Sequence, residues 1–489
     1  MIDQFIFLVV GFPLFTALIT GMLGVYMPKL VRWISGIGLL LGFGSSIMLF
    51  KQVETMGKVS YFLGNWPAPI GIEYSVDALN ALMIVLIYVV SALSFIFSLK
   101  AVPFEVEKSK HSYYYTLFLL LITGLVGIAI TGDAFNLYVL IEISALSYYA
   151  LLAVGGRKSY FPTFQYLLIG TIGACFYLLG VGYLFLKTGT LNMIHLGQLI
   201  PTVFFAKSIL VGFIFINVGL FIKMALFPLH GWLPNVYAKT PIATCCLLAP
   251  LMTKLSVYVL LRMYLTVFSP EYVYYVLNIQ NFMIWLASAA IIFGSMVAII
   301  HTSFRKVVTY IIVAEIGYMV GGIWIGNQSS MIGAIYHIVA DSLMTLLLFM
   351  IVGMIVFYLK SESLEKASLI FRQMPFTAIS TVIVFASIIG IPPTSGFFSK
   401  FYLIKGALQG GHWVFVGALL FSSLVGVFIL FRLIESTFFS DDAVDKPLIK
   451  EDLTLVFPMV TAAALVLGLG LTFNYWFQYI SAIIPGGFQ

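Results

Sequence analysis

The sequence predicts an all-α polytopic membrane protein with about fourteen transmembrane helices, on three observations. The 489 residues are 61% hydrophobic and only 9% charged, and their mean hydropathy is +1.07. Apolar runs of the length that crosses a bilayer, about 20 residues, recur along the chain. Only short polar stretches separate these runs. Because a soluble chain carries about 25% charged residues, the composition excludes a cytosolic enzyme, a nucleic-acid-binding protein and a secreted disulfide scaffold.

The apolar runs give the order of the spans within a single integral membrane domain. The first run is expected to remain as a span, since MIDQFIFLVVGFPLF lacks the basic stretch and the cleavage site of a signal peptide. The polar stretch SDDAVDKPLIKED, residues 440–452, is the clearest predicted loop. The predicted spans are 4–27, 30–50, 76–99, 113–131, 133–154, 161–186, 207–233, 241–267, 277–300, 306–325, 330–359, 376–407, 412–437 and 453–484.

The distribution of Lys and Arg predicts the orientation of the chain in the membrane. When residues near the end of a span are counted with the adjoining loop, sixteen of the 25 belong to loops that follow odd-numbered spans, six to loops that follow even-numbered spans and three to the interior of spans. Because Lys and Arg accumulate in cytoplasmic loops, the odd loops are predicted to face the cytoplasm and both termini to face outward.

Ionisable side chains inside the predicted spans are the strongest indication of function. A charge at the middle of a bilayer costs about 2.5–3.5 kcal/mol on insertion scales, so such charges are expected to serve the activity of the protein. The alternative is that they form structural ion pairs between helices. Seven of them lie well inside the spans, namely Glu142, Lys223, Lys254, Glu315, His337, Asp341 and Lys400.

The first of these charges suggest proton transfer. Glu142 lies near the middle of its span, with no other charge between Asp133 and Arg157, and Lys223 and Lys254 lie deep in theirs. Burial favours a neutral amine, whereas a nearby carboxylate favours the ammonium form. A Lys whose carboxylate partner approaches or withdraws therefore takes up or releases a proton, which Arg does not do.

Prolines predict broken helices in spans seven and twelve, each beside a buried Lys. Pro228 follows Lys223 by five residues, and Pro392 and Pro393 precede Lys400. Proline removes a backbone donor, and a broken helix persists in a bilayer only where protein or a watery cavity satisfies the freed groups. Such half-helix ends are a common place for ion sites in transporters.

Two histidines add candidates to this set. His337 and Asp341 are four residues apart and share a face of the eleventh predicted helix. They form either a proton relay or a hydrogen bond between helices. His230 is predicted beside the break in span seven, either as a relay residue or as a cap on freed carbonyls.

The placement of the charges predicts an internal repeat of five spans. Glu142 and Glu315 are 173 residues apart, and Lys223 and Lys400 are 177 apart. The first copy covers about residues 113–267 (spans four to eight), and the second about 277–437 (spans nine to thirteen). Because five is odd, the second copy is predicted to be inverted in the membrane.

The sequence predicts no bound cofactor or metal. Cys175, Cys245 and Cys246 all lie in apolar stretches and are interpreted as packing residues, because their spacing matches no metal site. No haem, iron–sulfur or nucleotide motif is found, so the chain is not expected to be a redox enzyme by itself.

Three motifs resemble a known family, the antiporter-like subunits of respiratory complex I and of the Mrp (multiple resistance and pH) cation/proton antiporters. FPLHGWLPNVYAKTPIATCCLLAPLMTKLSVYVLLR is similar to the signature of that family. NLYVLIEISALSYYALLA resembles its fifth helix, and SIIGIPPTSGFFSK resembles its broken twelfth helix. The resemblance runs from about Asp77 to Lys400, and the fourteen spans agree with it.

The resemblance implies a role for individual residues. Glu142 and Lys223 match the paired glutamate and lysine of the first half-channel, and Lys254 matches the lysine that connects the two halves. His337 stands where the family has a histidine in its eleventh helix, and Lys400 matches the residue at the exit of the second half-channel.

The sequence departs from the family pattern at several positions. Asp341 and Thr345 stand where many complex I members carry His and then Lys. Glu315 stands where members often have a neutral polar residue, and it is expected either to be functional or to form an additional ion pair. Asp77, beside the third span, matches a family feature without an evident mechanism.

Within the family, the sequence best resembles the D-type subunits of Mrp antiporters. It lacks the long C-terminal extensions of the large A-type Mrp subunits and of the distal complex I subunit, and it has Lys400 where M-type complex I subunits tend to have Glu. The resemblance implies a transporter subunit in a bacterial plasma membrane that exchanges protons for Na⁺ within a hetero-oligomeric Mrp-type complex. The alternatives are a proton-pumping M- or N-type subunit of a complex I-type oxidoreductase, and a scaffold whose charges only hold helices together.

Overall fold

The computed structural model describes residues 4–438 and 448–484, which fold as an almost entirely helical chain. Of the predicted loop 440–452, residues 440–447 lie outside the described residues. The helices in chain order are α1 (Gln4–Leu23), α2 (Pro28–Met56), α3 (Ala78–Glu105), α4 (His111–Ile130), α5 (Ala134–Ala153), α6 (Arg157–Thr188), α7 (Met193–Leu199), α8 (Lys207–Met224), α9 (Trp232–Tyr237), α10 (Ile242–Arg262), α11 (Gln280–Ile300), α12 (Phe304–Ile325), α13 (Gln328–Leu359), α14 (Leu364–Ala367), α15 (Ile370–Gln373), α16 (Pro375–Ile389), α17 (Ser395–Gln409), α18 (Trp413–Phe438), α19 (Leu453–Leu471) and α20 (Phe473–Ile483). Two strands, β1 (Val59–Phe62) and β2 (Glu73–Val76), form an antiparallel hairpin with Val59 opposite Val76.

The predicted fold class is confirmed. Among the described residues, thirteen helices are long and apolar enough to cross a membrane, and the number is fourteen if one bent pair counts as a span. That pair is Leu364–Gln373 and Pro375–Ile389, which meet at 119°. Since the residue before a proline avoids the helical conformation, Pro375 accounts for this bend, which the hydropathy pattern alone did not predict. The chain is a multi-pass membrane protein.

Both predicted helix breaks are present. Helix α8 ends at Met224, one residue after Lys223, and helix α16 ends at Ile389, where Gly390 takes the left-handed conformation with φ of 90°. A cis peptide bond precedes a proline in each break, at Phe227–Pro228 and at Pro392–Pro393. The predicted five-span repeat stays a prediction.

The contacts divide the chain into two compact units. The first comprises Met1–Ala92, Val106–Met224 and Leu251–Asn278, and the second comprises Leu93–Glu105, Ala225–Pro250 and Ile279–Gln489.

In the first unit, glycines bring helices α6 and α8 close together. A methyl group at Gly219 would lie 2.5 Å from the carbonyl oxygen of Gly173, and one at Gly180 would lie 2.8 Å from that of Gly212. Small residues allow the backbones of membrane helices to approach in this way. This packing holds helix α8, and with it Lys223 near its end.

In the second unit, small residues similarly fix the helices that carry the remaining candidates. A methyl group at Gly294 of α11 would lie 2.7 Å from the backbone nitrogen of Ala314 in α12. One at Gly333 of α13 would lie 2.7 Å from the backbone nitrogen of Leu403 in α17. Helix α13 therefore packs closely against α17, and α12 against α11, so the polar residues of these helices have fixed neighbours.

Candidate functional site

Glu142 and Lys223 form an ion pair in the first unit. The Nζ atom of Lys223, on α8, lies 3.7 Å from Oε1 of Glu142, on α5. The side chain of Lys223 is 7% exposed and that of Glu142 is 25% exposed. Among the described residues, neither atom has a hydrogen-bond partner. The two charges therefore attract each other, but the distance between Nζ and Oε1 is too long for a hydrogen bond.

A small cavity adjoins this ion pair. It has a volume of about 30 Å³, which is room for about two or three water molecules. Water there would hydrate the ammonium group of Lys223, which lines the cavity. The residues that line the cavity come from α4, α5, α8 and α10 and are Leu125, Ile128, Ile141, Ser144, Leu220, Lys223, Met252, Leu255, Ser256 and Val259.

Lys254 is completely buried in α10, but it is not one of the residues that line this cavity. The α10 residues that line it, Met252, Leu255, Ser256 and Val259, follow the i, i+3, i+4, i+7 spacing of a single helix face. Lys254 is two positions from both Met252 and Ser256, and residues at that spacing do not face the same way. The cavity therefore reaches α10 on a different face from the one that carries Lys254.

In the second unit, Glu315, His337 and Ser399 form a hydrogen-bonded row across three helices. Oε2 of Glu315 lies 2.6 Å from Nε2 of His337, and Oγ of Ser399 lies 2.9 Å from Nδ1 of the same ring. Ser399 and His337 are fully buried and Glu315 is 1% exposed. Glu315 thus has His337 as its hydrogen-bond partner, and its two predicted roles, functional residue or additional ion pair, stay predictions.

Lys400 lies next to this row in the second unit. Its Nζ donates to the carbonyl of Ile388, at the end of helix α16, and to Oγ of Ser423 at 2.8 Å. The same atom lies 5.0 Å from the centre of the Tyr318 ring, and that ring is 5.2 Å from the ring of His337. The carbonyl at the end of a half-helix attracts a cation. The break after α16 therefore provides the carbonyl that binds the ammonium group of Lys400.

The predicted contact between His337 and Asp341 is replaced by other partners. Both nitrogens of the His337 ring are occupied, by Glu315 and Ser399. Asp341 instead accepts a hydrogen bond of 2.9 Å from Oγ1 of Thr345 on its own helix. The reason is that α12 and α17, which pack against α13, bring polar side chains to the imidazole, while a spacing of four residues only places two side chains on one face.

His230 lies in an aromatic environment in the second unit. Its ring is 5.5 Å from that of Phe227 and 4.9 Å from that of Phe293, and the residue is 9% exposed. These contacts support neither of the two predicted roles over the other, and its function stays open as a prediction.

Sequence reasoning did not find the partner of Asp77. Arg262, at the end of α10, donates to both carboxylate oxygens of Asp77, at 2.7 and 2.8 Å, and to Oδ1 of Asn80 at 2.6 Å. Asn80 in turn donates to the carbonyl of Ala129 at 2.6 Å. The only sequence signal was the position of Asp77 directly before a span, because nothing in the spacing pairs it with a residue 185 positions away.

A second missed cluster lies where the break in span seven ends. Arg305, which is 5% exposed, donates to the carbonyls of Tyr237 and Thr240. The carboxylate of Glu105 accepts the backbone N–H groups of Ile242 and Ala243 at 2.9 and 3.1 Å. The positively charged Arg305 therefore satisfies the last carbonyls of the break, and the negatively charged Glu105 satisfies the first N–H groups of α10. The helix dipole favours both arrangements.

Over residues 4–438 and 448–484, no group of three or more His, Cys, Asp and Glu side chains is arranged to hold a metal ion. The structure brings several titratable groups together in pairs. They form two rows, Glu142 with Lys223 in the first unit and Glu315 with His337 in the second.

The fold and these buried charges define a membrane subunit of the proton-translocating type, and comparison with known proteins identifies its family. A family model described as "NADH:quinone oxidoreductase/Mrp antiporter, TM" matches residues 131–426. The chain belongs to this family, which confirms the resemblance found in the sequence.

Three relatives illustrate the breadth of the family. The chain is 38% identical to the N subunit of the NADH-quinone oxidoreductase of Desulforudis audaxviator, over 88% of this chain and 86% of the relative. It is 29% identical to the D subunit of the Na(+)/H(+) antiporter of Bacillus subtilis, over 96% and 94% of the two chains. Among solved structures, a chain of the membrane-bound sulfane sulfur reductase, an archaeal respiratory membrane complex, superposes with a TM-score of 0.90 at 28% identity, covering 98% of this chain and 97% of that one.

Proposed function

We propose that this chain is the proton-translocating subunit of a multi-subunit monovalent cation/proton antiporter, which exchanges inward-moving protons for outward-moving Na⁺. The observation that carries the proposal is the buried ion pair of Glu142 and Lys223, 3.7 Å apart beside a cavity with room for water. Family membership and the similarity to the D subunit of an antiporter along almost the whole chain support it.

The first step takes place at this ion pair. With Glu142 close, its carboxylate stabilises the ammonium form of Lys223. When the two groups move apart, the buried ammonium loses its counter-charge, and its proton passes to water in the adjoining cavity. A lysine is required for this step because an arginine holds its proton at any physiological pH.

The onward path uses the remaining candidates in the order that the family resemblance implies. The proton passes from Lys223 to Lys254, then to the His337 group with Glu315 and Asp341, and leaves through Lys400. His230 is an additional candidate beside the broken helix. In the second unit, the hydrogen bonds of His337 and the position of Lys400 over the Tyr318 ring support this order.

The protein works within a hetero-oligomeric Mrp-type complex in a bacterial plasma membrane, with both termini outward. The antiporter relative is, by its name, one subunit of a larger assembly. The excess of Lys and Arg in the odd-numbered loops supports the orientation.

Sodium-dependent proton flux in vesicles that carry the whole complex tests the proposal. Replacing either partner of the ion pair, as Lys223→Ala or Glu142→Ala, is expected to abolish the flux. Lys187→Ala, an exposed lysine at the end of α6, is the matched control and is expected to retain it. Unchanged flux in both ion-pair variants, in complexes that assemble normally, would refute the proposal.

A second candidate is a proton-pumping subunit of a complex I-type or related oxidoreductase. The 38% identity to an N subunit and the likeness to a respiratory membrane complex favour it. The same ionisable groups would carry protons, but the energy would come from redox chemistry in other subunits. Purification in mild detergent separates the two candidates, since one predicts small Mrp-type membrane partners and the other predicts peripheral iron–sulfur subunits.

The scaffold alternative makes a different prediction for the ion pair. If the charges only hold helices together, exchanging them as Glu142→Lys with Lys223→Glu restores full activity. A proton path does not tolerate the exchange, because the order of acid and base along the path is reversed. Normal assembly of the double variant without proton flux would therefore exclude the scaffold.

A further inference from the structure

We propose that Ser399 is a positioning residue that fixes the tautomer of His337, so that the ring exchanges its proton only through Nε2, with Glu315. The relevance of this exchange to transport rests on the function proposed above. The position of the proton on the ring, however, is a property of the protein that is measured independently of any flux.

The carbonyl oxygen of Gly396, which can only accept, offers the hydroxyl group of Ser399 a place to donate its proton. The Oγ atom of Ser399 lies 3.0 Å from this carbonyl oxygen, which is three residues earlier on α17. A hydroxyl has one proton and two acceptor lone pairs, so when that proton is donated to Gly396 the oxygen acts as an acceptor towards His337. In that arrangement, which we infer, Nδ1 of His337, 2.9 Å from Oγ of Ser399, carries a proton and donates it to Ser399.

The other ring nitrogen then shares a single proton with Glu315. Nε2 and Oε2 are 2.6 Å apart, which requires one proton between them. Either the ring is an imidazolium beside a carboxylate, or a neutral ring accepts from a protonated carboxyl group. The two states interconvert when one proton moves from Oε2 to Nε2 or back, and no other bond changes.

The surroundings of the ring prevent exchange at Nδ1. His337 and Ser399 have no exposed surface, and the next acceptor beyond Ser399 is a backbone carbonyl, which does not take up a proton. The titratable groups around the row are Glu315 and Tyr318 on α12, Lys400 on α17 and Asp341 on α13 itself. Glu315 is the one that the geometry joins to the ring by a hydrogen bond.

This arrangement gives Glu315 a definite role. The family pattern often has a neutral polar residue at its position, which would supply no acid for the ring. Here the carboxyl group supplies the exchanging proton and Ser399 orients the acceptor, as the second nitrogen of a histidine generally sets the state of the first.

Nitrogen NMR of the whole complex, prepared with ¹⁵N-labelled histidine, tests the inference. The signal of His337 is assigned by its loss in a His337→Gln variant. In the wild type, its Nδ1 is expected to be protonated. In Ser399→Ala, removal of a hydrogen bond worth about 1.4 kcal/mol shifts the tautomer ratio about tenfold towards Nε2–H, and proton flux is expected to fall by a similar factor.

Three variants separate positioning from mere packing. Ser399→Thr keeps the hydroxyl group and is expected to restore both the Nδ1–H signal and the flux. Ser395→Ala removes another buried hydroxyl group from α17 and is expected to leave the His337 signal unchanged. Glu315→Gln is expected to lose flux while keeping Nδ1 protonated, because its effect is on the exchange partner and not on the tautomer.

The outcomes distinguish this inference from the proposed function. A His337 signal that is the same in wild type and Ser399→Ala overturns the inference, whatever the flux. If the complex shows no proton flux at all, the proposed function fails, while a tautomer shift in Ser399→Ala still supports the role of Ser399.

Discussion

Arg262 and Asp77 form a two-bonded ion pair, with N–O distances of 2.7 and 2.8 Å, although 185 residues separate them in the chain. Asp77 also accepts the backbone N–H groups of Leu79 and Asn80 at the start of α3. The pair therefore ties the beginning of α3 to the end of α10 within the first unit. Because Val259, one turn earlier on α10, lines the cavity beside Lys223, the pair also helps to fix the wall of that cavity.

We expect Arg262→Lys to destabilise the protein although the charge is kept. Lys has no planar fork and replaces only part of the bonds to Asp77 and Asn80, and hydrogen bonds to charged groups contribute about 1.5–3 kcal/mol each. The expected loss is about 1–2 kcal/mol, because the carboxylate is 40% exposed and partly solvated. Thermal unfolding of the detergent-solubilised complex measures it. Arg157→Lys, at the exposed start of α6, is the control, and an equal unfolding temperature for both variants would contradict the prediction.

The same pair predicts a dependence of stability on pH. Burial raises the pKa of Asp77, but the guanidinium group of Arg262 and the hydrogen bonds from Asn80 and Leu79 outweigh it and leave the pKa below its usual range. A lowered pKa contributes stability that is complete above the ordinary Asp range and is lost as the pH falls through the folded-state pKa. The unfolding temperature should therefore drop below about pH 4, and Asp77→Asn should weaken that drop.

Asp133 is expected to change the pH dependence of stability in the opposite direction to Asp77, and the same experiment measures it. Asp133 caps α5 by accepting the backbone N–H of Asn136 at 2.7 Å, and burial raises its pKa. A carboxyl group with a raised pKa gains stability relative to the unfolded chain as the pH falls through the folded-state value. Asp133→Asn should consequently steepen the decline of stability in acid. Parallel pH curves for the two Asn variants would show that these assignments are incorrect.

Lys223→Arg should separate the charge of the ion pair from its chemistry. Arginine keeps the attraction to Glu142 but does not release its proton, so assembly of the complex should be normal while sodium-dependent proton flux falls at least tenfold, an estimate from the contribution of proton-transfer groups. Flux in vesicles measures the effect. Lys187→Arg is the matched control, and a normal flux in Lys223→Arg would rule out proton release from residue 223.

We expect the aromatic ring of Tyr318 to stabilise the ammonium group of Lys400 and thereby to support proton flux. Its centre lies 5.0 Å from Nζ of Lys400, and a cation over an aromatic face in a desolvated site is stabilised by about 1–2 kcal/mol. Tyr318→Leu removes the ring and should lower flux about five- to thirtyfold, whereas Tyr318→Phe keeps it and should retain most of the flux. A Phe variant as impaired as the Leu variant would assign the effect to the hydroxyl group instead.

Arg305 should be essential for stability. Arg305→Met leaves the buried carbonyls of Tyr237 and Thr240 without their donor, at a cost of about 1–3 kcal/mol for each unsatisfied group. Thermal unfolding of the complex should show the loss. Lys306→Met changes the neighbouring exposed lysine and should have little effect, so similar losses in the two variants would contradict the assignment.

The sequence was informative wherever the chemistry of a single segment decides the structure. Apolar length predicted the spans, and Pro228 and Pro392 predicted the two breaks, because a missing backbone donor interrupts a helix whatever surrounds it. A deeply placed charge such as Glu142 needs a partner or a proton, but its pairing with Lys223 was implied only by the resemblance to the family. The bend before Pro375 was missed because hydropathy measures how apolar a segment is and carries no information about the angle between successive helices.

Hydrogen-bond partners that come from other helices could not be predicted from the chemistry of a single segment. Glu315 and Ser399 reach His337 from α12 and α17, and Asp77 meets Arg262 across 185 residues. Helix spacing alone suggested Asp341 for His337, and the packing of α13 against α12 and α17 provided different partners.

Composition and local chemistry alone thus establish a membrane-embedded bundle of helices, interrupted at two prolines, that places acids and bases at lipid depth. Which acid meets which base depends on the close approach of helices at glycines such as Gly219 and Gly333. A polar group buried away from water must find a partner, but only the packed arrangement of helices determines which partner lies within hydrogen-bonding distance.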